Sequence, residues 1–427
     1  MRYFCLIISV LLTFSKLDSQ TRTLSYYMDK AKANSPLIHE TRNLNKILDL
    51  NMDQIEAVLK KPEVDASVNV LFAPIINHDG LKNRFQWVSS GAEQYTGYDL
   101  AGTDGGQYQA VVTVKQPLFN KSKLEAYQNN NAVSHQINEN KIKMTVHEVE
   151  QLVGYQYLLC VKSQNEKGLQ QTMIHDLREQ KRTLQNLVNN GIYKQTDLML
   201  LDIELKNYMI QYKNQLSEFQ QNLYDLNLLC GISDTTLVNL ADTVYTLKPA
   251  IEKQSDFLTT FKLDSMKIRT EQDLYDLQYK PKIDLYGSAG MNAVYVPGIN
   301  RLGFSTGLSF SMPLFDGNQR AAEQKKNRIH LETLEFKKDR FLSKYQMQNN
   351  GLLKQISLKT GQIQLLENQI KQYKTLIEAY NKELTLGEAS VMDINNIYRD
   401  MASKKKDLLR LKTEKQYLIN AYNYWNY

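Results

Sequence analysis

The sequence is short of everything that marks a catalytic or metal-binding protein. It has three cysteines, at positions 5, 160 and 230. With Cys5 inside an apolar leader, the two others lack the short spacing of a metal site or a disulfide framework. Cys160 and Cys230 could pair in an oxidising compartment or serve as two small apolar helix residues. The six histidines (His39, His78, His135, His147, His175 and His330) are scattered, and none makes His-Glu-x-x-His or another ligand spacing. There is no phosphate-cradling glycine loop and no nucleophile elbow. Carboxylate pairs such as Asp202 and Glu204 fall on helical stretches where solvation accounts for them. The sequence therefore predicts no enzyme, no cofactor and no metal.

Long apolar runs are also missing, with one exception. Tyr3–Ser15 follows Arg2, and "KLDSQ" after it offers Ser19 as a small residue for cleavage before Gln20, which reads as a signal peptide over 1–19. It is too short for a spanning helix, and no other stretch approaches the ~20 apolar residues such a helix needs. Removing 1–19 deletes Arg2, Lys16 and Asp18, so the formal charge falls from +6 to +5. Spread along the chain, that excess reads as a solvated surface, with no nucleic-acid partner. Only 8 prolines stand against 26 tyrosines, and the many Asn and Gln suit long polar-faced helices.

What is present is a repeat. "QPLFNKSKLEAYQ" at 116–128 and "MPLFDGNQRAAEQ" at 312–324 carry the same Pro-Leu-Phe. Downstream, "GIYKQTDL" from Gly191 and "GEASVMDI" from Gly387 share Gly-x5-Asp-(Leu/Ile). Pro117 to Gly191 and Pro313 to Gly387 both span 74 residues, so two anchors hold register without a gap. Upstream, "KPEVDAS" at Lys61 and "KPKIDLY" at Lys280 match with a different offset, leaving 23 extra residues in the first copy. These fall in a Gly, Asn and aromatic stretch over about 77–106 that reads as a long outer loop.

Four segments alternate with period two, as half-buried strands do: about 63–75, 106–117, 281–292 and 302–313. The clearest sets Phe304, Thr306, Leu308, Phe310 and Met312 against Ser305, Gly307, Ser309 and Ser311. Such strands fit an outer-membrane barrel, and a soluble sandwich would alternate similarly. Open edges are excluded in lipid, and four strands are fewer than any closed membrane barrel has, so several copies would have to contribute.

Between the anchors the period changes. Ile363, Leu366, Ile370, Tyr373, Ile377, Tyr380 and Leu384 alternate three and four apart, a heptad seam. The first copy keeps Ile174, Leu177, Leu184 and Val188 but departs at Lys167, Gln170 and Lys181. Past the glycines the seam resumes, from Leu198 and from Ile394. The pattern predicts two helical hairpins, about 120–230 and 316–422, reaching roughly 105 Å at 1.5 Å per residue. Asn120 and Asp316 are expected N-caps, and Pro117 and Pro313 are expected strand–helix junctions. The domains are accordingly read as 1–19, a first repeat over 20–246 and a second over 247–427. Asp197 and Asp393 follow the tip glycines at matched positions. They can stabilise helix starts, line an oligomer axis as an anionic ring, or do both.

A leader, two strand–strand–hairpin repeats, Pro-Leu-Phe junctions and Gly-x5-Asp tips together resemble the TolC family of outer-membrane efflux proteins. "PKIDLYGSAG…GLSFSMPLFDGNQRAAEQ" is the most specific part, and "LNLLCGI" at Leu226 resembles the family's closing element. The resemblance implies a membrane α+β fold. Four strands per chain would join in a trimeric 12-stranded barrel in the outer membrane, continued by a helical barrel in the periplasm. It implies a passive exit duct that meets a periplasmic adaptor, through tips at Gly191 and Gly387, and an inner-membrane transporter or type I secretion machine. By the same resemblance Asp393 matches a carboxylate at the periplasmic gate, with Asp197 its counterpart in the first copy. Asn396 falls where some members carry a second acid, and Ala389 where some carry an Arg lock. The other reading is a periplasmic adaptor or coiled-coil scaffold, which shares hairpins but lacks four membrane-length strands.

Overall fold

The computed structural model describes residues 21–87, 91–97, 105–250, 255–295 and 302–426. The leader read over 1–19 lies outside them, as do parts of the 77–106 segment. Helices α1 (Leu24–Asn34) and α2 (Pro36–Lys60) come first, then strand β1 (Glu63–Phe72). Three short strands follow, β2 (Ile75–Asn77), β3 (Arg84–Gln86) and β4 (Tyr95–Gly97), then the long β5 (Gly105–Leu118). Helices α3 (Lys121–Asn189) and α4 (Gln195–Leu229) form the first hairpin. Helix α5 (Asp256–Asp276) leads to β6 (Lys282–Tyr295) and β7 (Leu302–Ser311), and α6 (Gln319–Leu386) and α7 (Val391–Trp425) form the second hairpin. No described helix is long and apolar enough to cross a membrane.

Two compact units draw residues from both sides of position 246. One comprises 42–139 and 260–337; the other comprises the described parts of 1–41, 140–259 and 338–427. Helices α3 and α6, 69 and 68 residues long, contribute to each.

The first unit holds a four-stranded antiparallel sheet in the order β1-β5-β6-β7. Its registers stack like with like. Val68 pairs Ala110, which pairs Met291, which pairs Leu302; one step along, Ala66, Val112, Ala289 and Phe304 are aligned. On the opposite face Asp65, Thr113, Ser288 and Ser305 line up, and Thr113 Oγ1 lies 2.9 Å from Ser288 Oγ. Pleating sends alternate residues to opposite faces, so one face is an apolar band and the other is small and polar. The band is uncovered in the single chain: Val68, Leu302, Phe304 and Leu308 are all exposed. β1 and β7 each have one edge unpaired within the chain.

The long loop expected over 77–106 is not wholly irregular. β2, β3 and β4 form a separate three-stranded antiparallel sheet in the order β3-β2-β4. Three-residue strands carry too little alternation to stand out in a Gly- and Asn-rich sequence.

The strand–helix junctions differ from expectation in their chemistry. Asn120 does not cap α3 with its side chain: its Nδ2 donates to Leu59 O at 2.9 Å, at the end of α2. Phe119 bends the chain at φ 59°, a conformation that costs a residue with a Cβ. Asp316 does bind the start of α6, accepting from Asn318 N at 2.9 Å and Arg320 N at 2.8 Å. The helix itself begins only at Gln319, because Gly317 and Asn318 turn through φ 64° and 66°. Pro117 lies in β5 beyond its last β1 pair, Glu63–Lys115, where the missing N–H breaks no β1–β5 bond. Pro313 lies past the end of β7.

Each junction is braced by the helix that precedes its strand pair, an element the anchors did not foretell. Gln128 reaches Glu56 of α2 at 3.3 Å. In the second half Arg320 Nε pairs with Asp276 Oδ1 of α5 at 2.9 Å, over the ring of Tyr279, and Asn327 binds Gln272 at 2.7 Å. The Arg320 hydrogen bond holds the Asp276 carboxyl below its usual range.

In the second unit the seam is visible residue by residue. Ile363, Ile370, Ile377 and Leu384, each seven apart, are buried, while Leu366, Tyr373 and Tyr380 are half-buried. Two of the three polar departures in α3 have a visible role. Lys181 pairs with Asp202 across the hairpin, and with Lys206 at 2.8 Å this holds that carboxyl down at about 2. Lys167 lies 4.8 Å from the Phe219 ring centre, a cation–π contact. Gln170 is simply buried. Cys160 and Cys230 are both buried and unbonded in one apolar cluster with Tyr27, Val153 and Leu226. Burial pushes both thiols up, Cys230 to about 12, so neither is a reactive thiolate.

Candidate functional site

The two hairpin turns lie in the second unit and are built the same way. At the first, Gly191 N donates to Val188 O at 3.0 Å and Ile192 N to Leu187 O at 2.9 Å. At the second, Gly387 N donates to Leu384 O at 3.2 Å and Glu388 N to Glu383 O at 3.0 Å. Both are Schellman closures, which need a left-handed residue at the turn. Gly191 and Gly387 supply it at φ 75° and 78°. A side chain at either position would be strained, and this is why the repeat keeps glycine there.

The tips touch. A Cβ built on Gly387 would come within 3.0 Å of Ile192 Cγ2. Tyr193 Oη donates to the carbonyls of Ala389, at 2.7 Å, and Leu384, at 3.1 Å. Burial, with a smaller contribution from Asp197, raises the Tyr193 pKa and so keeps it a protonated donor. Beneath these contacts Leu184, Leu198, Leu201, Leu384, Val391 and Ile394 form one core that joins α3, α4, α6 and α7.

Tyr193 and Ala389 hold the same place in the two copies, 196 residues apart. Sequence reading missed this pair. Its signal was the size mismatch at a position flanked by matched anchors.

The matched aspartates occupy the third helical position of α4 and α7 but differ in occupation. Asp197 is half-buried, and its Oδ2 accepts from Lys194 N at 3.0 Å. Asp393 is exposed, and the start of its helix is capped by Ser390, whose Oγ accepts from Met392 N at 3.2 Å. The α7 start is thus closed without Asp393. Asn396, one turn on, accepts from Arg399 Nη2 and is exposed. Arg399 had not been singled out from the sequence. Ala389 is buried in the tip core, so no basic side chain projects from that position. Pro117 and Pro313 lie at the strand ends in the other unit. Among the described residues no group of three or more His, Cys, Asp or Glu could hold a metal.

No protein-family model matches the sequence, and no characterised protein matches it either. Solved structures do. The CmeC outer membrane channel of Campylobacter jejuni superposes with a TM-score of 0.65 at 13% identity, over 94% of this chain and 85% of that one. The outer membrane protein VceC of Vibrio cholerae gives 0.65 at 11%, over 94% and 96%. The chain has the TolC-like channel fold. The open-state MtrE channel of Neisseria gonorrhoeae gives 0.63 at 13% identity, over 94% and 88%.

Proposed function

We propose that this chain is an outer-membrane exit duct for efflux or type I secretion. Three copies of the four-stranded sheet would close into one 12-stranded barrel, and the hairpins would continue it through the periplasm to an adaptor and an inner-membrane transporter. The observation that carries this reading is the sheet itself: apolar on one face, small and polar on the other, with both edges open. In the order β1-β5-β6-β7 every neighbour is antiparallel, so β1 and β7 run in opposite directions. An outer β7 can therefore continue the antiparallel ladder onto the β1 of another copy. Closure satisfies the backbone groups that lipid cannot, and 12 is an even strand number within the known range. The tips would form the periplasmic gate, with Asp393 and Asp197 facing the axis.

Fractionation tests this directly. The mature chain is expected in the outer membrane as a trimer that resists dodecyl sulfate until heated. A soluble periplasmic monomer would return the adaptor or scaffold reading.

The tip geometry adds a prediction. Tyr193→Phe removes the donor shared by Ala389 O and Leu384 O, and an intramolecular hydrogen bond contributes about 1 kcal/mol net. Loss of that bond in each copy should raise the spontaneous open probability of channels in planar bilayers several-fold. Opening no more frequent than in the wild type would show that other contacts hold the tips.

A further inference from the structure

The small sheet β3-β2-β4 exposes an apolar face that its own size cannot bury. Ile76 pairs directly with Phe85, so both project from the same side, and Trp87, two residues on, follows. Phe85 and Trp87 are 61% and 64% exposed, while Ile75 on the other side is 3% exposed. Leu81, at the tip of the β2–β3 turn, is fully exposed.

This face is not a floppy loop. His78 Nδ1 and Nε2 each lie 2.8 Å from a polar partner, Asn83 Oδ1 and Thr96 Oγ1. Asp79 Oδ2 accepts from Glu93 N at 2.6 Å. The aromatic residues are therefore held outward on a braced platform.

Two observations say what covers the platform. Trp87 packs on Phe72, with ring centres 4.6 Å apart. Phe72 is the last residue of β1 and shares a face with Val64, Ala66, Val68 and Val70. The patch thus continues the apolar band of the main sheet, at the strand end away from the helices. Next to it in sequence, Lys82 in the β2–β3 turn and Arg84 on the opposite face of β3 are exposed. Aromatic rings with basic neighbours at the end of an apolar band match the boundary between acyl chains and phosphate headgroups.

We infer that this sheet is a lipid-docking platform, with Trp87, Phe85, Ile76 and Leu81 entering the leaflet around the barrel and Lys82 and Arg84 meeting lipid phosphates. The inference rests on the barrel reading above. It gives the 23 extra residues of the first copy a function: they fasten the outer rim to the membrane surface.

The chain has two tryptophans, Trp87 and Trp425, so Trp425→Phe leaves Trp87 as the sole reporter. The full-length trimer is reconstituted in vesicles of phosphatidylglycerol and phosphatidylcholine brominated near the top of its acyl chains. Trp87 is expected to lose most of its emission to the bromolipid and little to aqueous iodide. If Trp425→Phe does not assemble, the difference between wild type and Trp87→Phe isolates the same signal. Phe304→Trp, in a chain with both native tryptophans changed to Phe, reports on the barrel band separately.

Quenching of the Phe304→Trp reporter by bromolipid, with Trp87 quenched only by iodide, overturns the platform and leaves the barrel standing. Trp87 shielded from both quenchers means that protein covers the patch, and this too overturns the platform. If neither reporter meets bromolipid, the barrel reading fails as well.

Discussion

Gly290→Val is expected to abolish assembly of the proposed trimer. Gly290 sits in β6 directly opposite Val111 of β5 and Gly303 of β7. A Cβ there would lie 2.1 Å from Ala110 O and 2.7 Å from Val111 Cα. Both obstacles are backbone, so no rotamer change relieves them, and β5 would have to leave its ladder. Overpacking a side chain costs roughly 1–3 kcal/mol. Here the obstruction also falls on the central β5–β6 pair, which every copy must present intact before its edges can meet a neighbour. Gly303→Ala is the control, since a Cβ at Gly303 would meet nothing within 4 Å. Heat-modifiable trimers should vanish from outer membranes carrying Gly290→Val and persist with Gly303→Ala. Wild-type amounts of trimer with the valine would refute the strand register described here.

Asp393→Asn should have the larger effect of the two tip aspartates on conduction. In a trimer its carboxylates would form a ring of three charges, with Asp197 supplying three more. Rings of carboxylates concentrate cations at a constriction. Asp393 is exposed, and its helix start is closed by Ser390, so the substitution removes charge with little structural cost. Asp197 also accepts the Lys194 N–H, and Asp197→Asn would mix lost charge with a weakened helix start. The expected result in planar bilayers is a several-fold fall in cation-over-anion selectivity for Asp393→Asn, with weaker block by multivalent cations. The double variant Asp197→Asn/Asp393→Asn should fall furthest. Selectivity and block that match the wild type would place the gate charge elsewhere. In that case Arg399, bonded to Asn396, is the basic group to examine first.

The α2 and α5 braces show where sequence reading stops. Helix α2 is amphipathic in its own right, yet within one chain it fully buries only Ile38 and Thr41, and Leu50 and Val58 stay exposed. The value of both helices lies in what their ends hold, Asn120 on Leu59 and Arg320 on Asp276. These are contacts between residues 61 and 44 positions apart. The N-cap expectation failed at Asn120 for the same reason: its side-chain amide is turned to donate through Nδ2 to a carbonyl on α2, and its Oδ1 accepts from no helix N–H.

By itself the sequence determined the period of the four long strands and of the two helical hairpins, because alternation and heptads are properties of neighbouring residues and the chain's own geometry. It also determined the tips, since a Schellman turn asks for glycine whatever surrounds it. Only the tertiary structure decided which polar seam residues are paired, that Tyr193 ties the first tip to the backbone of the second, and that part of an apparent loop is a braced sheet with an outward aromatic face. Those outcomes depend on partners far apart in the chain, and local pattern carries no record of which distant atom a side chain will meet.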